Sequence, residues 1–271
     1  KAIKGFGVQS LKEGITSTKH LVHTTSGKVV GEWGLRKWMV ENPKEIKKKS
    51  NIHIARQALR QALLEQLGGK NVVQWSNQLV DLNENKDKSF NLSFQVNGEI
   101  KTATHDLVVG ADGIRSTVRQ LLFGQNDTQL DYLGCIVILG ICLLKDIENL
   151  ENPLLDSATV FQTANGNERM YVMPFTSDSV MWQLSFPMSE VEAKILSKKG
   201  AFALKTEAIK RCQWHEPIPQ ILRATAETQI SGYPVYDREV LTTKLFSKAG
   251  QATLIGDAAH PMSPFKGQGA N

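Results

Sequence analysis

The stretch ATLIGDAAHPMSPFKGQGAN, residues 252–271, constrains the fold more than any other part of the chain. Its apolar run, opening near Gln251, reads as a buried strand, and Gly256-Asp257 brings a carboxylate out at the carboxyl end of that strand. In open α/β sheets ligands bind at that edge. A carboxylate placed there can accept hydrogen bonds from sugar or polyol hydroxyls. Pro261 and Pro264 stiffen the following loop, and the ring of Pro264 can lie flat against an aromatic ligand. Gly267 and Gly269 let backbone N–H groups approach a ligand closely. The plain alternative is a structural strand–loop–helix whose glycines only turn the chain.

A second segment has the same character. DLVVGADGIRSTVRQLLFG, residues 106–124, reads as strand, turn and helix. Gly113 supplies the tight turn and Ser116 is placed to cap the helix. Free N–H groups at that helix start, with Arg115 and Arg119 beside them, favour an anion, so the turn can lie along a pyrophosphate. An ordinary Asp-Gly turn into a capped helix explains the same residues equally well. Near the start, GFGVQS is a near miss to GxGxxG, but only four residues precede Gly5, too few to supply the strand such a loop needs.

Between these landmarks the pattern changes once. LVHTT and KVVGEW form a hairpin at Ser26-Gly27, and IARQALRQALLEQLGG is an amphipathic helix with Ala55, Leu59, Ala62, Leu63 and Leu67 on one stripe. NVVQW, QLVDL, FNLSFQV and EIKTATH read as strands, the last two joined by an Asn97-Gly98 turn. From about Asp131, YLGCIVILGICLL, ATVFQTA, RMYVMPF and VMWQLSF predict an antiparallel sheet, with helices over residues 189–199, 201–212 and 218–224. Alternation puts Tyr171, Met173 and Phe175 on one strand face, and Val180, Trp182, Leu184 and Phe186 on a face of the next. These residues either line an apolar pocket or pack the core.

Composition narrows the function classes. A chain of 271 residues, 41% hydrophobic, is long enough for a large domain or two ordinary ones with a sizeable core. The net charge of +5 suits an anionic ligand such as a dinucleotide, but its basic residues are spread along the chain, which argues against a nucleic-acid partner. The densest basic run, Lys44–Ser50, reads as a solvated loop. Cys135, Cys142 and Cys212 show no pairing or metal spacing and fit a reducing compartment, so a cytoplasmic location is expected. The longest apolar run, Leu133–Leu144, is too short to cross a bilayer as a helix, so no transmembrane segment is expected.

Taken in order, these motifs resemble a known family. GDAAHPMSPFKGQGAN resembles the GD motif, and GADGIRSTVR the DG motif, of FAD-dependent monooxygenases of the p-hydroxybenzoate hydroxylase type, the class A flavoprotein monooxygenases. Arg56 heads the helix before the DG motif, QLVDL resembles the strand whose backbone near Val80 passes the adenine, and YPVYDR precedes the GD strand. The resemblance implies an α/β (α+β) fold: a Rossmann-like FAD/NAD(P)-binding domain carrying an inserted, mostly antiparallel substrate-binding sheet. Residues 1–125 and 246–271 would form the former and 126–245 the latter.

The resemblance also implies roles. Gly256 and Asp257 would meet the ribityl chain of FAD, while Pro264, Gly267, Gly269, Ala270 and Asn271 would line the isoalloxazine and pyrophosphate. Arg56 would contact the ribityl–pyrophosphate region and Asp112 would sit near the pyrophosphate, in a segment also tied to NAD(P)H. Met173, Phe175 and Trp182 are candidate substrate contacts. His260 is read as structural, and no protein side chain is assigned as a catalytic acid, base or metal ligand. The implied reaction uses NAD(P)H and O2 to hydroxylate or epoxidise a small organic substrate, aromatic or polycyclic, through a flavin C4a-hydroperoxide. The family's opening GxGxxG unit is not found here, so the sequence is expected to be an internal fragment, inactive alone. The rival readings are a non-catalytic binding or scaffold domain, or a related flavin reductase or halogenase.

Overall fold

The computed structural model describes residues 5, 7–8, 14–34, 51–68, 72–124, 129–148, 151–239, 241, 250–263 and 265. In chain order the elements are β1 (Ile15–Ser17), β2 (Lys19–His23), β3 (Val29–Gly34), β4 (Asn51–His53), α1 (Arg56–Leu64), β5 (Gln78–Glu84), β6 (Phe90–Val96), β7 (Glu99–His105), β8 (Val108–Gly110), α2 (Thr117–Phe123), β9 (Asp131–Leu143), β10 (Thr159–Ala164), β11 (Arg169–Thr176), β12 (Ser179–Pro187), α3 (Glu190–Lys198), α4 (Ala201–Arg211), α5 (Ile218–Ala224), β13 (Ile230–Asp237) and β14 (Ala252–Leu254). This is a mixed α/β architecture, and it divides into two compact units: residues 1–67 with 134–234, and residues 68–133 with 235–271.

The first unit is built on a seven-stranded sheet in the order β13-β9-β12-β11-β10-β2-β3. Strands β9 to β12 pair antiparallel where they are adjacent, as their alternating sequences predict. Each buries one face: Met170, Val172 and Pro174 of β11 are buried while Tyr171, Met173 and Phe175 are half-buried. At the centre Trp182 stands opposite Gly140. A Cβ at Gly140 would lie 2.4 Å from the Trp182 ring, so the glycine makes the room the indole needs. The buried indole Nε1 donates to Thr225 Oγ1 at 2.9 Å, and that hydroxyl donates to the carbonyl of Ile221 at 2.7 Å. The end of α5 is thereby tied to the sheet, with Ile218, Ile221 and Leu222 of the same helix wholly buried. Helix α3 begins with a complete capping box between Ser189 and Glu192, as a serine three residues before a glutamate predicts.

Three features depart from the sequence reading. Strand β2 pairs in parallel with β10, so the β2–β3 hairpin belongs to the large sheet rather than with residues 68–125. No local pattern announces a pairing across about 140 residues. NVVQW forms no strand over its described residues: 72–73 are bends, 75–76 a turn, Ser76 takes φ 61, and Val72 and Trp75 stay exposed. Helix α1 is shorter than the predicted stripe: Leu67 lies in the 3-10 turn that follows, Leu63 and Leu67 are exposed, and none of the helix's residues is fully buried.

The second unit contains an antiparallel meander, β5-β6-β7, and a parallel pair, β8 with β14. Asn97 and Gly98 join β6 to β7 with φ 51 and 89, the doubly left-handed turn that suits a two-residue hairpin. Phe90, Leu92, Val108, Val118 and Leu254 form its core. The three cysteines are free thiols, and burial pushes Cys212 up to about 12, which makes it an inert apolar filler. No helix among the described residues is long and apolar enough to cross a membrane.

In the first unit, His23 is buried, its Nδ1 has no hydrogen-bond partner, and its ring centroid lies 4.9 Å from that of His215. Burial first, then His215 and Lys19, hold it below the ordinary histidine range, against a raising contribution from the backbone at Gln162. The unfolded chain therefore takes up this proton more readily than the folded one. Stability is full above the ordinary value of ~6.5 and is lost as pH falls toward and through the depressed value. Thermal melts from pH 7.5 to 5 should show a falling midpoint. His23→Gln should remove part of that fall, His20 and His53 being depressed by burial as well.

Candidate functional site

Parallel pairing sets the site in the second unit. Val108, Val109 and Gly110 stand in register with Ala252, Thr253 and Leu254, and Ile255 N–H donates to the Gly110 carbonyl at 2.9 Å. The carboxyl ends of β8 and β14 therefore emerge side by side, and the turns holding Asp112 and Asp257 leave from one sheet edge. Gly110 permits this approach. A Cβ there would lie 2.5 Å from Leu254 Cδ2 and 2.8 Å from Val118 Cβ, so strand, strand and helix meet only because position 110 has no side chain.

The turn after β8 is satisfied from within. Asp112 Oδ1 accepts from Ser116 Oγ at 2.5 Å, and Oδ2 accepts from the backbone N–H groups of Thr117 at 2.7 Å and Val118 at 3.1 Å. Ser116 Oγ in turn accepts from Arg119 N–H at 2.9 Å, the cap the sequence predicts. The expectation that free N–H groups at this helix start meet a phosphate is therefore corrected: those of residues 117, 118 and 119 are already taken. Asp112 places the turn rather than offering its carboxylate outward. Arg119 is likewise buried rather than displayed beside the turn.

After β14 the chain makes a 3-10 turn over Gly256–Ala258, entered with Gly256 at φ 56. Asp257 and His260 are exposed while Ala258 and Ala259 are buried between them. The Asp257 carboxylate is exposed and has no hydrogen-bond partner among the described residues. Val80 sits at a register shift of β5 between Leu79 and Asp81, which takes its backbone off the ladder. Leu79, Phe94, His105, Val109 and Asp112 border a cavity of about 620 Å³ beside the β8 edge. Pro264, Gly267, Gly269, Ala270 and Asn271 lie outside the described residues.

One cluster in this unit went unassigned in the sequence. The Arg115 guanidinium lies 5.8 Å above the Tyr236 ring, and Tyr236 packs against Tyr132 with centroids 5.6 Å apart. Burial, then the charge of Arg115, hold Arg238 below the usual arginine range, while Asp131 opposes them. Two arginines are thus gathered where β13 ends. The YPVYDR match pointed to this stretch without saying what Arg238 would meet.

In the first unit, Arg56 is exposed at the first position of α1, whose N-cap Ala55 supplies no side-chain cap. Met173 and Phe175 lie on the half-buried face of β11 with Tyr171, whose hydroxyl burial pushes above the ordinary tyrosine range. Trp182 does not join them. Its strand partners are Val172 and Gly140, whereas Met173 stands opposite Met181, so Trp182 is on the other, fully buried face. Placing Trp182 in the same pocket as Met173 and Phe175 is therefore corrected by the register: neighbouring strands share faces at paired positions, not by sequence likeness.

Residues 28–271 match the FAD binding domain family, and the chain belongs to that family. It is 30% identical over 217 residues to chloroplastic zeaxanthin epoxidase of Spinacia oleracea, covering 80% of this chain and 29% of that protein. It is 32% identical over 165 residues to aurachin C monooxygenase/isomerase of Stigmatella aurantiaca, covering 60% and 38%. The chain thus spans less than two-fifths of the length of these relatives. Among solved structures it resembles HpxO of Klebsiella pneumoniae complexed with FAD and uric acid, with a TM-score of 0.76, 19% identity, and 98% of this chain and 63% of that one covered. It also resembles 2,6-dihydroxypyridine-3-hydroxylase of Arthrobacter nicotinovorans, with a TM-score of 0.77, 16% identity and coverage of 99% and 67%. At those identities the likeness is one of fold.

Gly110→Ala should destabilise the second unit by roughly 1–3 kcal/mol, the usual cost of forcing one methyl into a closed contact. Urea unfolding followed by tryptophan fluorescence measures it, and a change under 0.5 kcal/mol, about the noise for a surface substitution, would show that Leu254 and Val118 move aside freely.

Proposed function

We propose that this chain is the FAD-holding and substrate-facing part of a monooxygenase that uses NAD(P)H and O2 to hydroxylate or epoxidise a small organic, aromatic or polycyclic, substrate. The observation that carries the reading is the Asp257 carboxylate, exposed and without a partner among the described residues, on the turn at the carboxyl end of β14, beside the β8 turn. A polyol chain needs an acceptor of that kind, and the exposed carboxylate fits its hydroxyls. The names of the spinach and Stigmatella relatives, an epoxidase and a monooxygenase, favour oxygen insertion over simple reduction. When bound, FAD supplies the redox chemistry: two electrons from NAD(P)H, one oxygen atom of O2 to the substrate and the other to water.

The residues divide the remaining work. Asp257 accepts from the ribityl hydroxyls, on a turn entered through Gly256. Arg56 offers a cation to the pyrophosphate, the off-ladder backbone at Val80 faces the adenine, and Asp112 acts by fixing its turn. Pro264, Gly267, Gly269, Ala270 and Asn271 are assigned to the ring and pyrophosphate on the motif alone. Met173 and Phe175 present an apolar face to the substrate, and Trp182 supports the sheet from behind. Arg115 and Arg238 form the cationic patch for the phosphates of the reductant.

Asp257→Ala removes charge-assisted hydrogen bonds of about 1.5–3 kcal/mol, so FAD should bind roughly 10- to 100-fold more weakly to the full-length protein, read by flavin fluorescence titration. Unchanged retention would end the flavin assignment. Arg115→Gln should leave FAD binding intact and raise the KM for NAD(P)H about fivefold, steeper at low salt. An unaltered KM would remove the reductant from this patch.

A further inference from the structure

The buried guanidinium of Arg119 reaches across about 140 residues of sequence. Nη1 donates to the carbonyls of Ala258 at 3.2 Å and Ala259 at 3.0 Å, and Nη2 donates to the carbonyl of Glu239 at 2.9 Å. Arg119 is 2% exposed. It forms no ion pair with a carboxylate among the described residues, and both burial and Arg238 work against its charge. Nature rarely buries a cation against carbonyls alone unless the geometry it holds is needed.

The same peptide units are also held from their other side. The N–H of Ala259 donates to the Gly256 carbonyl at 3.0 Å and that of His260 to the same oxygen at 2.9 Å. A peptide unit points its C=O and N–H in opposite directions. The unit joining 258 to 259 thus has its carbonyl on Arg119 and its N–H on Gly256, and so has the unit joining 259 to 260. The two peptide units that follow Ala258 are pinned at both ends, and the exposed Asp257 carboxylate directly before them has no hydrogen-bond partner among the described residues. Arg119 is anchored in turn through its own N–H on Ser116, whose hydroxyl donates to Asp112.

We infer that Arg119 is a positioning residue for the flavin: a guanidinium buckle that locks the Gly256–His260 turn to α2 and so presents the Asp257 carboxylate in one fixed orientation. The inference rests on the flavin-binding reading for its ligand, but the locking of the turn stands on the hydrogen bonds alone. A lysine cannot replace the fork, because one ammonium does not span carbonyls on two separate segments with the same planar geometry.

Two measurements on the full-length protein test it. Amide hydrogen exchange without FAD should show Ala259 and His260 exchanging at least tenfold faster in Arg119→Lys than in wild type, while β5 to β7 exchange as before. FAD titration should give a Kd raised about tenfold in Arg119→Lys and further in Arg119→Met, with a melting midpoint for the lysine variant close to wild type. Wild-type exchange at both amides in Arg119→Lys overturns the lock. Faster exchange with an unchanged FAD Kd overturns its role toward the flavin. If wild type itself binds no FAD, the flavin reading fails, and the exchange result alone decides the buckle. Should Arg119→Met not fold, Arg119→Lys carries both measurements.

Discussion

The parallel pairing of β8 with β14 is the constraint on which the candidate site depends. Three register pairs bring together strands separated by about 140 residues, and Gly110 lets them close against Val118 of α2. Two turns, each with a glycine at the strand end and an aspartate within two residues of it, then leave the same sheet edge. Neither turn would be a site by itself. The edge brings together a turn whose carboxylate is spent on its own helix and a turn whose carboxylate has no partner among the described residues.

The contrast between Asp112 and Asp257 shows how polar satisfaction assigns roles. Both are exposed aspartates after strands, yet Asp112 accepts from a hydroxyl and two backbone N–H groups while Asp257 accepts from none of the described residues. Orphan donors at a helix start draw in the nearest acceptor, and Asp112 is five and six residues from the donors it takes. Asp257 precedes only a short turn that uses the Gly256 carbonyl for closure. The chemistry open to each carboxylate follows from what its own backbone has left unsatisfied.

In the first unit the same logic acts through packing. The large sheet is ordered by register, which gives β11 one fully buried face and one half-buried face and sets Trp182 of β12 on the buried side. Trp182 is kept by Gly140 and Thr225 on the buried side, and Met173 and Phe175 fall on the other. An apolar residue at the right spacing can serve either face. The two families of contacts become distinct only when the neighbouring strand is known.

Much of this was readable from local pattern. The β9 to β12 strands, the Asn97-Gly98 turn, the helices starting at 190, 201 and 218, the Ser116 cap and the two strand–turn motifs all follow from periodicity, turn chemistry and capping. These are short-range effects, and a window of a dozen residues contains their causes. What the local pattern left open was decided by partners distant in sequence. They placed the β2–β3 hairpin beside β10, left Val72 and Trp75 outside any strand, turned Trp182 away from Met173, and drew Arg119 inward to the carbonyls of Ala258 and Ala259. Local pattern set most of the strands, turns and helices and marked the two strand–turn motifs. Tertiary structure alone decided which strand lies beside which, and hence which charges are buried and which are left facing solvent, because that depends on contacts no neighbouring residue can encode.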